Sequence, residues 1–217
     1  MKIYDHIGVW EGLVTKDFCK KVIDSFEHFY ALKYVKKDIA EGLEQGSTNE
    51  GKDQFKNGGM GRKDHQLYLE VCDAGLAMQV NQTVGVAFEE YAKEYTGILD
   101  NMDPVSSWTA KIQRTDPGGG YHIWHCENGA FLYRDRVLTW MIYLNDIPVE
   151  NGGGTDFYHQ KKTFHPTTGT VVIWPAAYTH MHRGSFLTGD KSKYIATGWF
   201  VREPGDVTNK ILKNADG

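Results

Sequence analysis

From Ser106 onward, turns rich in glycine and proline cut the chain into short aromatic and β-branched runs, a spacing that admits little except antiparallel β-structure. The turns are Pro117-Gly118-Gly119-Gly120, Gly152-Gly153-Gly154 and Pro166-Thr167-Thr168-Gly169. They bound expected strands near 107–114, 121–126, 136–145, 155–159, 170–175, 178–184 and 193–202. Such strands satisfy their edges by folding into a β-sandwich or closing into a barrel.

The first half reads differently. Thr15 is placed to cap a helix beginning at Lys16-Asp17, with Phe18, Val22, Phe26 and Tyr30 on one face. A second helix fits Leu76 to Tyr95, with Val80, Val84, Phe88 and Tyr91 as its apolar stripe. Between them, Glu41 to Lys63 is polar and glycine-rich and holds almost no large apolar residue. It cannot anchor a core and reads as a mobile loop, long enough to serve as a lid. The 217 residues suit one domain: helical support and polar loop over 1–105, a β core over 106–202, and a tail over 203–217.

Charge and cysteines narrow the class. A formal net charge of −4 without any Lys/Arg-rich block argues against a nucleic-acid or membrane-surface partner. Cys19, Cys72 and Cys126 lie far apart without a C-x-x-C pair, so they read as reduced thiols. The first twenty residues carry Asp5, Glu11 and Asp17 and no continuous apolar stretch, and no run approaches a membrane span. These features predict a soluble cytoplasmic protein.

The chemistry gathers around His125-Cys126-Glu127. On a strand, residues two apart share a face, so His125 and Glu127 can address one metal ion. With 9 His and 28 acidic residues, such a triplet arises about once by chance, so it needs a third ligand from elsewhere. His180 and His182 follow Trp174-Pro175, share a face by parity, and either could supply it. Two His and one carboxylate leave coordination positions open, the arrangement of non-haem Fe(II) oxygenases. A structural zinc would close its fourth position, and no cysteine is placed to do so. His6, His28, His65, His159 and His165 show no partner pattern.

Residues 107–200 resemble the Fe(II)/2-oxoglutarate-dependent dioxygenase superfamily, especially its prolyl 4-hydroxylase-like branch. The resemblance rests on Gly119-Gly120-Tyr121-His122-Ile123-Trp124-His125-Cys126-Glu127, on Arg136 to Asp146, and on Gly152-Gly153-Gly154-Thr155-Asp156-Phe157. It continues through Pro166 to Gly169, His182-Arg183-Gly184 and Lys193-Tyr194-Ile195-Ala196-Thr197-Gly198-Trp199. It implies an α+β fold, with a double-stranded β-helix (jelly-roll) core and flanking N-terminal helices. It also implies His125, Glu127 and His182 as catalytic iron ligands. His182 is preferred over His180, which would face the same cavity, because the distal ligand lies two residues before a glycine. Most relatives carry Asp where this chain has Glu127, which reaches one methylene further and keeps the charge.

The implied co-substrate, 2-oxoglutarate, chelates iron at one end and needs a cation and hydroxyls at its distal carboxylate. Lys193 and Thr197 share a face of the last strand by period two, and Tyr143 lies on the strand 136–145 with Thr139 and Met141. All three fall where relatives bind that carboxylate, with Lys191 and Arg183 as alternative cations. The expected reaction consumes O2, converts 2-oxoglutarate to succinate and CO2 and hydroxylates a C–H bond, with ascorbate as a reductant that keeps the iron active. A carboxylate at 127 occupies the place that halogenating relatives leave open, which favours hydroxylation. The branch implies a peptidyl prolyl residue in a protein or peptide partner, with a free amino acid or another small molecule as the alternative. A metal-binding β-barrel module without redox activity, or a cupin-like isomerase, is the rival from another class.

Other residues read as structural. Trp108, Leu138, Trp140, Ile142 and Ile173 should form the outer apolar face against the helices. Cys126 should face away from the ligands, and Tyr121 and Trp124 should pack or line the mouth of the site.

Overall fold

Period-two alternation sorts the strands into two opposite faces, and the fold is built on that separation. The computed structural model describes residues 1–34, 36–41 and 60–203. Its larger sheet is antiparallel and runs in the order β1 (Lys2–Tyr4), β2 (Ile7–Trp10), β11 (Val171–Pro175), β8 (Arg136–Tyr143), β13 (Lys193–Arg202), β6 (Lys111–Thr115), β4 (Met60–Tyr68), β3 (Lys36–Glu41). β5 (Val105–Ser106) adds to β13, and β7 (Gly120–Tyr121) adds to β4. The smaller sheet is β10 (Lys162–Phe164), β9 (Thr155–Phe157), β12 (His182–Gly184). This is the expected α+β, double-stranded β-helix arrangement.

One face of the larger sheet meets the helices. α1 (Lys16–Ala31) begins where Thr15 Oγ1 accepts the Phe18 N–H at 3.2 Å, and it buries Cys19, Val22 and Phe26. α2 (Leu69–Cys72) is a single turn leading into α3 (Ala74–Glu94), which Asp73 caps by accepting the Leu76 N–H at 2.9 Å. Leu76, Val80 and Val84 of α3 pack with Ile112, Trp140, Ile142, Val171, Ile173, Ala196 and Phe200 in one core. α4 (Gly97–Asp100) is a final short turn. Each large aliphatic side chain buried there contributes about 1.5–3 kcal/mol relative to exposure.

The opposite face looks toward the smaller sheet. Met141, Tyr143, Val172 and Trp174 pack there with Phe157 and Phe164, forming a second, smaller core. The inner residues of β6 and β13 that this core does not cover, Lys111, Gln113, Lys193 and Thr197, are buried and polar. A polar inner face between two sheets is where a site can lie.

Several expectations need correcting. The strand expected at 107–114 is Val105–Ser106 followed, after a break, by Lys111–Thr115, so Trp108 falls outside it and is 67% exposed. The strand expected at 121–126 ends at Tyr121, and the one at 178–184 is a 3-10 turn, Tyr178–His180, before β12. β1, β2 and β10 are three or four residues long and were not anticipated. Residues 42–59 of the expected polar loop lie outside the described residues, while its ends at Glu41 and Met60 to Lys63 are strand. Among the described residues no helix is long and apolar enough to cross a membrane.

Candidate active site

His125 and Glu127 reach the site without a regular strand. His125 and His182 form one isolated antiparallel bridge, with N–H···O distances of 3.1 and 2.9 Å, which sets their imidazoles 4.4 Å apart. Two residues on, the Glu127 N–H donates to Ala176 O at 2.9 Å, tying the carboxylate to the end of β11. Glu127 Oε1 then lies 3.4 Å from the Nε2 of each histidine. Among the described residues this is the set of His, Cys, Asp and Glu that brings three ligand atoms within 4.8 Å of one another.

Neighbouring groups determine which atoms face the centre. His125 Nδ1 lies 2.8 Å from Ile123 O and His182 Nδ1 lies 3.0 Å from His180 O. A carbonyl only accepts, so each Nδ1 carries its hydrogen and each Nε2 offers a lone pair. Glu127 Oε2 accepts from Arg136 Nη1 and from Trp199 Nε1, both at 2.9 Å, which leaves Oε1 to the histidines. Burial, with His125 nearby, lowers the His182 pKa. Three lone-pair atoms therefore converge in deprotonated form, and a divalent cation between them would relieve their repulsion. The donor set fits Fe(II).

His180 does not face this site, contrary to the parity argument. The 3-10 turn rotates it away, so that Nε2 lies 2.8 Å from Asp5 O and Nδ1 lies 3.0 Å from Thr179 Oγ1. It braces the β1–β2 turn. His180→Asn is therefore expected to lower stability by about 1–3 kcal/mol, read by thermal denaturation, while leaving Fe(II) and 2-oxoglutarate binding unchanged.

A cavity of about 800 Å³ opens over the triad. β13 contributes Lys193, Ile195, Thr197 and Trp199, β8 contributes Thr139 and Met141, and β6 contributes Lys111, Gln113 and Thr115. Arg62, Asp64, Gln66 and Tyr68 of β4 complete that wall. Lys193 is 5% exposed, and its Nζ donates to Gly153 O at 2.8 Å. That carbonyl is presented by a turn in which Gly152 and Gly153 have φ of 71° and 68°, a region that favours glycine. Burial pushes the Lys193 pKa down to about 8, against the pull of Asp64 and Asp156.

The alternative cations are less well placed. Lys191 is exposed and outside the cavity wall. Arg183 is in the wall, but its Nε pairs with Asp156 at 3.2 Å and its guanidinium lies 4.4 Å over the Trp124 ring. Thr197 lines the cavity, yet its hydroxyl donates to Trp140 O at 2.8 Å. Tyr143 requires correction: its fully buried hydroxyl lies 2.8 Å from both Thr155 Oγ1 and Phe164 O, outside the cavity wall. Cys126, expected to face away, lines the cavity, as does Tyr121, whose ring stacks 4.1 Å from His125.

Arg136, Lys111 and the inner face of β4 are site residues that sequence reasoning passed over. The alternation Lys111-x-Gln113-x-Thr115, polar against Ala110 and Ile112, was the available signal.

Residues 110–201 match the family described as the 2OG-Fe(II) oxygenase superfamily. No curated protein matches the chain by sequence. Among solved structures, a Pseudomonas putida prolyl-4-hydroxylase is similar at TM-score 0.65 and 13% identity, covering 92% of this chain and 94% of that one. The viral collagen prolyl hydroxylase of Paramecium bursaria Chlorella virus-1 gives TM-score 0.62 and 16% identity, covering 93% and 100%. A Trichoplax adhaerens prolyl hydroxylase, solved with a hypoxia inducible factor oxygen degradation domain peptide fragment, gives 0.61 and 16%, covering 96% and 87%. At such identities the likeness speaks for the fold. The match over 110–201 spans the convergent His125, Glu127 and His182, and over that stretch the chain is similar to the 2OG-Fe(II) oxygenase superfamily, as the donor set of the triad fits.

Proposed function

We propose that this chain hydroxylates a prolyl residue within a peptide, with His125, Glu127 and His182 holding Fe(II) and Lys193 anchoring the distal carboxylate of 2-oxoglutarate. The observation that carries the reading is the convergence of two imidazole Nε2 atoms and Glu127 Oε1 in the wall of a cavity that also contains a buried ammonium. Fe(II) held there would, with 2-oxoglutarate and O2, supply oxidative decarboxylation to succinate and CO2, one oxygen atom entering succinate and the other the hydroxylated C–H bond, with ascorbate keeping the metal reduced.

The chain supplies positioning. Arg136 and Trp199 hold Glu127 in one rotamer, and the Ile123 and His180 carbonyls fix the tautomers of the two histidines. Met141, Trp174 and Ile195 give the cavity apolar walls that limit water around the reacting groups. Lys193 sets the direction in which a dicarboxylate lies.

A peptide substrate is supported by the rim and by the relatives. Beside the wall residues Gly129, Ala130 and Tyr133, a 3-10 turn exposes Phe131 and Leu132 to 75% and 84%. Apolar side chains at a cavity mouth suit a chain lying across it better than a small polar molecule. The similar solved structures named above are described as prolyl hydroxylases.

The test is turnover with Fe(II), 2-oxoglutarate and ascorbate against a panel of proline-containing peptides, with free L-proline alongside, read by mass spectrometry. A gain of one oxygen on peptidyl proline, matched by succinate, is the expected result. Succinate formed only with a small molecule moves the substrate class, and metal uptake without succinate under any condition leaves a metal-binding module.

A further inference from the structure

The charged groups in the cavity wall pair off unevenly. Arg62 Nε lies 3.2 Å from Asp64, Arg136 Nη1 lies 2.9 Å from Glu127, and Arg183 Nε lies 3.2 Å from Asp156. Each arginine thus has a carboxylate, and two lysines do not. Lys193 has the Gly153 carbonyl. Lys111 is 8% exposed and lines the cavity, and among the described residues its ammonium makes no hydrogen bond or ion pair. Its Nζ lies over the Trp199 ring, 5.2 Å from the ring centre.

A buried cation without a directly paired anion is costly, and such a group is retained where a ligand completes it. Fe(II) and dianionic 2-oxoglutarate cancel one another, so loading the site leaves the excess of positive charge in place. Lys193 suffices for one distal carboxylate. Lys111 is not a second hold on the same group. On β13 it faces Thr197, whereas Lys193 lies four residues away, about 13 Å along the strand. Lys111 instead borders the triad, because the indole it touches donates to Glu127 at 2.9 Å. The surrounding protein has a net charge of −4, so this positive spot is local.

We propose that Lys111 binds a carboxylate carried by the primary substrate, holding it beside the metal site. The inference rests on the oxygenase reading and adds to it: the prolyl substrate carries a nearby carboxylate, from a chain terminus or from an acidic side chain. The low pKa of Lys111, about 8, is due chiefly to burial and then to Arg62, only partly offset by the charges of Glu127 and Asp64, and agrees with an ammonium that has no hydrogen-bonded anion in the free protein. A bound carboxylate restores it.

The test uses protein loaded with Mn(II) and 2-oxoglutarate, which binds without turning over. It is titrated calorimetrically with propionate, propionamide, N-acetylproline and N-acetylprolinamide. Both acids should bind at least about tenfold more tightly than their amides, the loss expected from one charge-assisted hydrogen bond. Lys111→Met should erase that preference and leave 2-oxoglutarate affinity within about twofold. Lys111→Arg, which keeps the charge, should retain the preference and so separates loss of charge from loss of fold, which thermal melts also follow. An amidated Gly-Pro-Glu peptide against a Gly-Gly-Pro acid tells a side-chain carboxylate from a terminal one.

Acids and amides binding alike to the wild type overturns the proposal, as does an acid preference that survives in Lys111→Met. A drop in 2-oxoglutarate affinity equal to that of Lys193→Ala also overturns it, making Lys111 a co-substrate anchor. If propionate shows the preference but N-acetylproline and the prolyl peptides are never hydroxylated by the Fe(II)-loaded enzyme, the Lys111 assignment stands and the prolyl reading falls.

Discussion

His182→Ala is expected to reduce succinate formation to background, and His125→Ala to do the same. Each removes one of three ligand atoms that lie within 4.8 Å of one another, leaving too few donors to hold a divalent ion. Neither change should unfold the chain. The two imidazoles face the cavity, and the core that Trp140, Ile142 and Ile173 form against the helices lies on the other side of the larger sheet. Glu127→Ala should also abolish turnover, but with a stability cost the histidine variants lack. Its removal leaves the Arg136 guanidinium, 2.9 Å away and largely buried, without its carboxylate, on the order of 3 kcal/mol. Succinate release, the visible absorption that Fe(II) gains with 2-oxoglutarate, and thermal melts separate these effects. Retained activity in His182→Ala together with loss in His180→Asn would reverse the assignment between those two residues.

That assignment marks how far the sequence is legible. Periodicity identified α1 and α3 because each repeats an apolar stripe over many residues and carries a side-chain cap. It could not reveal β1 and β2, which are too short to show a period; they are joined by Asp5 and His6, both at positive φ. Parity put His180 and His182 on one face because it assumes an unbroken strand, and the 3-10 turn at Tyr178–His180 breaks it. The pairing of His125 with Glu127 was foreseen from the same assumption, yet the structure achieves it differently. One bridge to His182 and one hydrogen bond to Ala176 hold those two residues in place of a strand.

Tyr143 exposes another limit. Alternation placed it on the inner face with Thr139 and Met141, and it is there, but a face has more than one neighbour. At its height the smaller sheet covers β8, and its hydroxyl is taken up by Thr155 and Phe164. Lys111 was missed for the reverse reason. The inner face of β6 stays uncovered by the smaller sheet and lines the cavity, which alternation alone does not show. The inner face of β4 is illegible for another reason: Arg62-Lys63-Asp64-His65-Gln66 is polar at every position and shows no period of two.

Lys193→Ala is expected to raise the 2-oxoglutarate requirement about 30- to 150-fold while Fe(II) still binds, the loss of one charge-assisted hydrogen bond of roughly 2–3 kcal/mol. Tyr143→Phe should barely change that requirement, because its hydroxyl serves the smaller sheet. The pH dependence gives an independent reading. Only the ammonium form of Lys193 pairs with a carboxylate, and burial sets its pKa at about 8 in the free protein. Wild-type affinity for 2-oxoglutarate should therefore be level near pH 7 and weaken above about pH 8, approaching about tenfold per pH unit. Lys193→Ala has no such proton to lose, so its weaker affinity should run flat through the same range. Lys111 titrates near the same value, about 8, but serves a different ligand, so Lys111→Met should keep the wild-type limb. Titrations of the Mn(II)-loaded protein between pH 6.5 and about 9.5 measure all three. A limb that persists in Lys193→Ala and vanishes in Lys111→Met would exchange the roles of the two lysines. A wild-type affinity that stays flat through this range and falls in Arg183→Ala would move the anchor to β12, because a guanidinium keeps its proton throughout it.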